Sequence, residues 1–198
     1  MEKISKAQVK FVRSLQLKKV RDAEGLFVAE GEKCVEELRR GFELVSLYRE
    51  GENATRTEIE QMSSLKTPQG VIGVFRKRKP NPGIVLRPST GRSIEQSSSP
   101  VKGREVDDGL ILVLDGVQDP GNLGTIIRTC DWIGVHEIVC SKDTADCYNP
   151  KVVQATMGAL ARVKVRYVDL VEWLEGIRNQ ESGIRIQDSG IRNKGTAG

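Results

Sequence analysis

An asparagine and an arginine six residues apart, Asn122 and Arg128, follow a loop that holds Asp115, Gly116, Asp119, Pro120 and Gly121. Carboxylates, an amide and a guanidinium behind a glycine-rich turn can bind an anion, order a polar substrate or stabilise developing negative charge. Residue identity separates the readings of the stretch DGVQDPGNLGTIIRT. A Walker phosphate loop requires G-x-x-x-x-G-K-[ST]; Gly116 and Gly121 have the spacing, but Asn122 and Leu123 stand where the lysine and hydroxyl belong. A dinucleotide fingerprint requires G-x-G-x-x-G, and Gly121 with Gly124 supplies only the last pair. Neither fits, although an anion at the start of a helix remains physically sensible. The alternative is structural: Asn122 caps the helix, Gly124 permits close packing and Arg128 is solvated. Spacing alone leaves a structural and a chemical role open.

The elements around the loop can be read from periodicity. The apolar run Leu110 to Leu114 has the length and composition of a buried strand, and a helix carrying Ile126, Ile127, Trp132 and Ile133 follows the loop. Ile138 to Cys140 closes a βαβ unit, so the loop lies at the carboxyl end of a parallel strand, where α/β sheets place ligands. Further on, Asn149-Pro150 opens a helix running to Leu160, Val163 to Val168 is a strand, and Leu170 to Ile177 is a helix with Trp173. Gly183 to Gln187 reads as the start of another strand, before a tail in which Ser-Gly-Ile-Arg recurs.

Upstream, Ser5 and Gln8 form a capping box for a helix whose stripe carries Ile4, Phe11, Val12 and Leu15. A strand at Leu26 to Ala29, a helix with Cys34, Val35 and Leu38 ending at Gly41, and a strand at Phe42 to Tyr48 describe a parallel βαβ crossover. A short helix over Ile59 to Leu65 and a strand over Gly70 to Phe75 complete a small α/β unit. Residues 76–108 hold Pro80, Pro82, Pro88 and Pro100 and a serine-rich centre, the composition of a linker, with Ile84 to Leu86 a possible edge strand.

The chain has 198 residues, 38% hydrophobic and 29% charged, which suits a globular α/β protein of one or two domains. No apolar run approaches the roughly 18 residues of a membrane span, and the cationic first twenty residues are no secretory signal. Their basic, amphipathic character fits an RNA-facing helix or, less well, a mitochondrial presequence. Cys34, Cys130, Cys140 and Cys147 lack C-x-x-C spacing and have one histidine, His136, for company; buried thiols in a cytoplasmic protein are expected, with no metal site. The net charge is +4, but cations cluster at Lys3 to Arg21 and at Arg76 to Arg104, an electrostatic footprint for nucleic-acid phosphates.

The string NLGTIIRT behind LDGVQDPG resembles the first signature motif of the SpoU-type (TrmH-like) RNA ribose 2′-O-methyltransferases of the knotted SPOUT class. Lys151 to Leu160, KVVQATMGAL, is similar to the family's next helix. Phe27 to Lys33, Val35 to Leu38 and Pro68 to Phe75 resemble the small domain that precedes the catalytic one. The resemblance implies an α/β chain with an RNA substrate-binding domain at 1–76, a flexible basic linker at 77–108 and a parallel-sheet α/β-knot methyltransferase domain at 109–198, incomplete here.

It further implies methyl transfer from S-adenosylmethionine to a ribose 2′-hydroxyl, with ribosomal RNA the expected substrate rather than tRNA, and a homodimer for a complete member. Asn122 matches the motif asparagine, which orders the loop, and Arg128 the motif arginine, which assists deprotonation of the hydroxyl. A guanidinium has a pKa above ~12, so Arg128 is expected to act as a phosphate and oxyanion clamp rather than a general base. The two later family motifs that hold the methyl donor do not occur in this sequence, which leaves the cofactor-binding residues unknown. A C-terminal truncation is therefore expected, with an inactive RNA-binding chain as the alternative. The apolar faces of 111–114 and of the helix after Asn149 are then expected to be exposed.

Overall fold

A computed structural model describes residues 4–79 and 110–187. The expected strand at Ile84 to Leu86, the body of the linker and the tail beyond Gln187 lie outside the described residues.

The first half opens with α1 (Lys6–Ser14), which starts at the expected box: Ser5 accepts from the Gln8 backbone and Gln8 reaches back to the Ser5 amide. Val9, Val12 and Leu15 form its buried stripe, whereas Phe11 turns to solvent. After α2 (Lys18–Glu24) come β1 (Leu26–Glu30), α3 (Glu32–Leu38), β2 (Leu44–Arg49), α4 (Arg56–Met62) and β3 (Val71–Arg76). The sheet order is β1-β3-β2, and β3 runs antiparallel to both neighbours. The expected βαβ crossover is therefore split. β1 and β2 point the same way across α3, but β3 sits between them and takes the backbone hydrogen bonds they would have shared.

The second half is β4 (Ile111–Leu114), α5 (Pro120–Ile133), β5 (Glu137–Ser141), α6 (Pro150–Thr156), a 3₁₀ turn (Ala159–Ala161), β6 (Lys164–Val168) and α7 (Leu170–Gln187). Its sheet is parallel in the order β4-β5-β6, as the alternation of strands and helices requires. β5 is buried, but β4 is an edge strand with Val113 exposed, so the apolar run at 110–114 is less covered than its composition suggested. α6 stops at Thr156 instead of continuing to Leu160. Met157 and Gly158 adopt left-handed backbone, and a Cβ on Gly158 would meet Glu37 Cβ at 2.3 Å. Residues 183–187 belong to α7 rather than to a strand; Leu170, Leu174, Ile177 and Ile184 recur with the period of a helix.

The two halves share a core. Phe27, Ala29, Val35, Leu38 and Phe75 of the first belong to the same buried cluster as Leu123, Ile127, Ile138, Val152 and Leu160 of the second. The face of the helix after Asn149 is therefore not exposed, contrary to expectation: Val152 and Val153 of α6 are buried where α6 packs on β1. Close approach is enforced by small residues. A Cβ on Gly41 would lie 2.4 Å from the Ala161 carbonyl, and one on Gly124 would lie 2.4 Å from Ala155 Cβ between α5 and α6. Lys77 and Arg78, which composition assigns to the linker, are fixed. Lys77 N donates to Gly25 O at 2.7 Å, and Arg78 donates to the carbonyls of Ala161 and Val163 while covering the Phe42 ring at 4.4 Å. Among the described residues no helix is long and apolar enough to cross a membrane.

Candidate functional site

The loop after β4 turns at Gly116, whose φ of +63° puts it in the left-handed region that suits glycine. Asp119 then takes the N-cap position, with its side chain accepting from the Asn122 amide at 2.7 Å, and Pro120 fills the first helical position. The cap is thus Asp119, not Asn122. Freed of that duty, Asn122 sits in the first turn of α5 with an exposed side chain that has no partner among the described residues.

α5 has two faces. Leu123, Gly124, Ile127 and Cys130 are buried against α6 and the core. Gly121, Thr125, Arg128, Thr129 and Trp132 look outward. On that side the Thr125 and Thr129 hydroxyls donate back to the carbonyls of Gly121 and Thr125 at 2.9 and 3.0 Å, so they are engaged with the helix itself. Arg128 is exposed and makes no hydrogen bond or ion pair with another described residue. Trp132, one turn further on, is 73% exposed. Six residues of helix separate Asn122 from Arg128 by about 9 Å along the axis and about 120° around it. Both lie on the solvent side of α5, yet the fold does not bring the two side chains together.

The loop is braced from the next strand. Gly116 N donates to Ser141 Oγ at 2.9 Å, and the Ser141 and Thr144 hydroxyls lie 3.0 Å apart. Ala145 N donates to Val117 O at 2.9 Å. The 142–149 segment is held in turn by Tyr167, whose hydroxyl accepts from Cys147 N at 2.7 Å and donates to Ala145 O. Burial pushes the Tyr167 phenol up and the Cys140 and Cys147 thiols up to about 12. All four cysteines are free and buried, as expected. His136 is exposed at the start of β5, away from the loop. None of these bracing residues carried a sequence signal, because a lone serine or tyrosine at a strand end is uninformative without its partner.

Among the described residues the basic clusters are thinner than the sequence implied. Arg21 is buried, Lys18 and Lys77 pair with Asp22, and Arg76 pairs with Glu43. Lys6, Lys10 and Arg13 remain exposed along one side of α1.

The described residues suit a sulfonium methyl donor only in part. Asp115, Asp119 and Asp143 set carboxylates around the Gly116 turn, a charge that complements a cation, but all three are exposed and none forms a wall for an adenine. The residues that would hold such a donor are not found among those described.

Residues 109–194 match the SpoU rRNA methylase family, and residues 6–55 match an MRM3-like substrate-binding domain. The chain is 36% identical over 116 residues to a mouse mitochondrial protein, rRNA methyltransferase 3, covering 59% of this chain and 24% of that one. Against a Bacillus subtilis 23S rRNA guanosine 2′-O-methyltransferase the identity is 28%, over 90% of this chain and 68% of the relative. Among solved structures, one from Porphyromonas gingivalis assigned to the TrmH family of RNA methyltransferases superposes with a TM-score of 0.73. It is 32% identical, over 90% of this chain and 68% of that one. An AdoMet-bound rRNA methyltransferase from Sinorhizobium meliloti gives a TM-score of 0.66 at 28% identity, over 90% and 67%. The matched part of the chain thus spans about a quarter of the length of the mammalian relatives and about two thirds of the Bacillus subtilis one.

Proposed function

The chain belongs to the SpoU family of rRNA methylases, and from that premise we propose that it methylates ribose 2′-hydroxyls of ribosomal RNA with S-adenosylmethionine as donor. The observation that carries this reading is Arg128. It is a guanidinium in the family's motif position, exposed, with no partner among the described residues, on a helix that starts at the carboxyl end of a parallel strand.

The donor supplies an already electrophilic methyl group. What this chain must supply is a nucleophilic hydroxyl in the right place. Arg128 stays charged at neutral pH and offers a planar fork of donors, so it can grip an RNA phosphate or the oxygen that becomes anionic. Stabilising that oxygen lowers the hydroxyl's pKa, and its proton leaves to solvent. Asn122, in the first turn, orders the loop against the substrate. Lys6, Lys10 and Arg13 of α1 would hold RNA through its backbone, which makes affinity fall with salt.

The exposed Trp132 and Ile133 at the end of α5 and the outer edge of β4, which pairs with no strand among the described residues, support a homodimer, for which light scattering of the full chain is the test. Buried thiols support a reducing compartment, and the cytoplasm is the one we propose.

The deciding experiment incubates the full chain with methyl-labelled S-adenosylmethionine and ribosomal RNA. Label recovered in alkali-resistant dinucleotides is the expected result, since a 2′-O-methyl blocks cleavage at that position. Label on bases, or none with any ribosomal RNA, would overturn the reading.

A further inference from the structure

Arg21 belongs by sequence to a basic run, yet its side chain is only 1% exposed. Every nitrogen of its guanidinium is used. Nη1 donates to the carbonyls of Leu15 and Gln16 at 3.0 and 2.7 Å, closing off the end of α1. Nε and Nη2 donate to one oxygen of Asp146 at 3.2 and 2.7 Å. The other Asp146 oxygen accepts from Tyr148 N at 2.9 Å, and the Asp146 carbonyl accepts from Asn149 N, the cap of α6. A side chain of the first half thereby shapes the 142–149 segment of the second.

That segment braces the site. Ala145, next to Asp146, donates to Val117 O, and Thr144 shares its hydroxyl contact with the Ser141 oxygen that accepts from Gly116. The path from Arg21 to the loop before α5 therefore runs through one ion pair and one short segment, each link a hydrogen bond or the chain itself. A buried ion pair adds little net stability compared with apolar groups of the same volume. What a guanidinium fork adds is direction, because its donors fix the angle as well as the distance of their partners.

We propose that Arg21 is a positioning residue for the α5 site, acting through Asp146 on the 142–149 segment and through that on the turn at Gly116 to Asp119. The kinetic consequence rests on the methyltransferase reading above; the mechanical coupling does not. The substrate-binding half is then more than an RNA handle, since its docking sets the loop from which Asn122 and Arg128 are presented.

The test uses the full chain carrying Arg21→Met with Asp146→Leu, which removes the pair without leaving a lone buried charge. Thermal melting reports whether the fold survives. Hydrogen exchange is read at the Gly116 and Ala145 amides, and methyl-transfer kinetics at saturating and limiting RNA. The expected result is a folded variant with a somewhat lower melting temperature, because the Leu15 and Gln16 carbonyls and Tyr148 N lose their partners. Well below that temperature, exchange at those two amides should be faster by about tenfold or more, and kcat lowered roughly tenfold with KM for RNA little changed. A merely structural role would leave kcat at the wild-type value in a variant that is fully folded at the assay temperature. Unchanged exchange at Gly116 and Ala145, or wild-type kcat in the double variant, overturns the proposal. If the double variant does not fold, Arg21→Lys keeps the charge, loses the fork and undergoes the same exchange test with the same two outcomes. A wild-type chain that transfers no methyl group would defeat the proposed function, while the exchange result would still decide the coupling.

Discussion

The seam between the two halves and the outward face of α5 use arginine in opposite ways. At the seam, Arg21 is consumed by Asp146 and two carbonyls, and Arg78 by the Ala161 and Val163 carbonyls and the Phe42 ring. Arg162 holds Asp131 of α5 with two nitrogens, at 2.8 and 2.7 Å, and Glu37 of α3 with the third, at 2.7 Å. Burial pulls the Arg78 guanidinium down, while the Asp131 carboxylate pushes Arg162 up. On α5, Arg128 has donors of the same kind and spends none of them on a described residue. A seam whose arginines are bonded on both sides fixes geometry, whereas the α5 face presents an arginine with no partner among the described residues, free to take the RNA oxygen proposed above.

Substitutions can break that contrast at several strengths. Asp146→Ala leaves the Arg21 charge buried without its partner, and chemical denaturation should record a loss of about 3–5 kcal/mol. Gly41→Val drives a branched side chain into the Ala161 backbone, so the seam must open; about 1–3 kcal/mol is expected by the same measurement. Arg162→Ala removes a side chain that is 40% exposed, with its ion pairs to Asp131 and Glu37, and should cost only about 1 kcal/mol.

The smallest effect near neutrality is that of pH. Burial raises Cys34 to about 11 and Cys140 and Cys147 to about 12, from an ordinary value of 9.0. The unfolded chain then loses thiol protons that the folded chain keeps. Stability from this source is complete below pH 9 and is lost as pH rises towards 11–12. Melting temperatures should be insensitive to these thiols from pH 7 to 8.5 and fall above about pH 9.

Local signals in the sequence were read correctly where the partners lie within a few residues. Ser5 with Gln8, Asn149 with Pro150, and the β4–α5–β5 unit all show this. Gly124 was legible as a close-packing position because a glycine inside a helix costs helix propensity and so points to a packing reason. Long-range pairing was not legible. β3 enters between β1 and β2 from more than twenty residues away, and nothing within β1 or β2 announces it. The cap at Asp119 lost out to Asn122 because either residue type caps well and the choice depends on where the turn at Gly116 ends. Arg21 could not be told from its neighbours. A lysine-rich run looks the same whether one member faces water or an aspartate more than a hundred residues on. Motif order points to Asn122 and Arg128 as the residues of the proposed site, whereas no local signal points to the residues that brace the loop before them.

The contrast is tested most directly with Arg128→Ala. The substitution touches no described partner, so its melting temperature should match wild type, with stability within about 0.5 kcal/mol. Methyl transfer to ribosomal RNA should fall roughly 10²- to 10³-fold, while RNA affinity at fixed salt stays nearly unchanged. Turnover within a few-fold of wild type would contradict the account, because the unsaturated arginine would then be only a solvated helix residue.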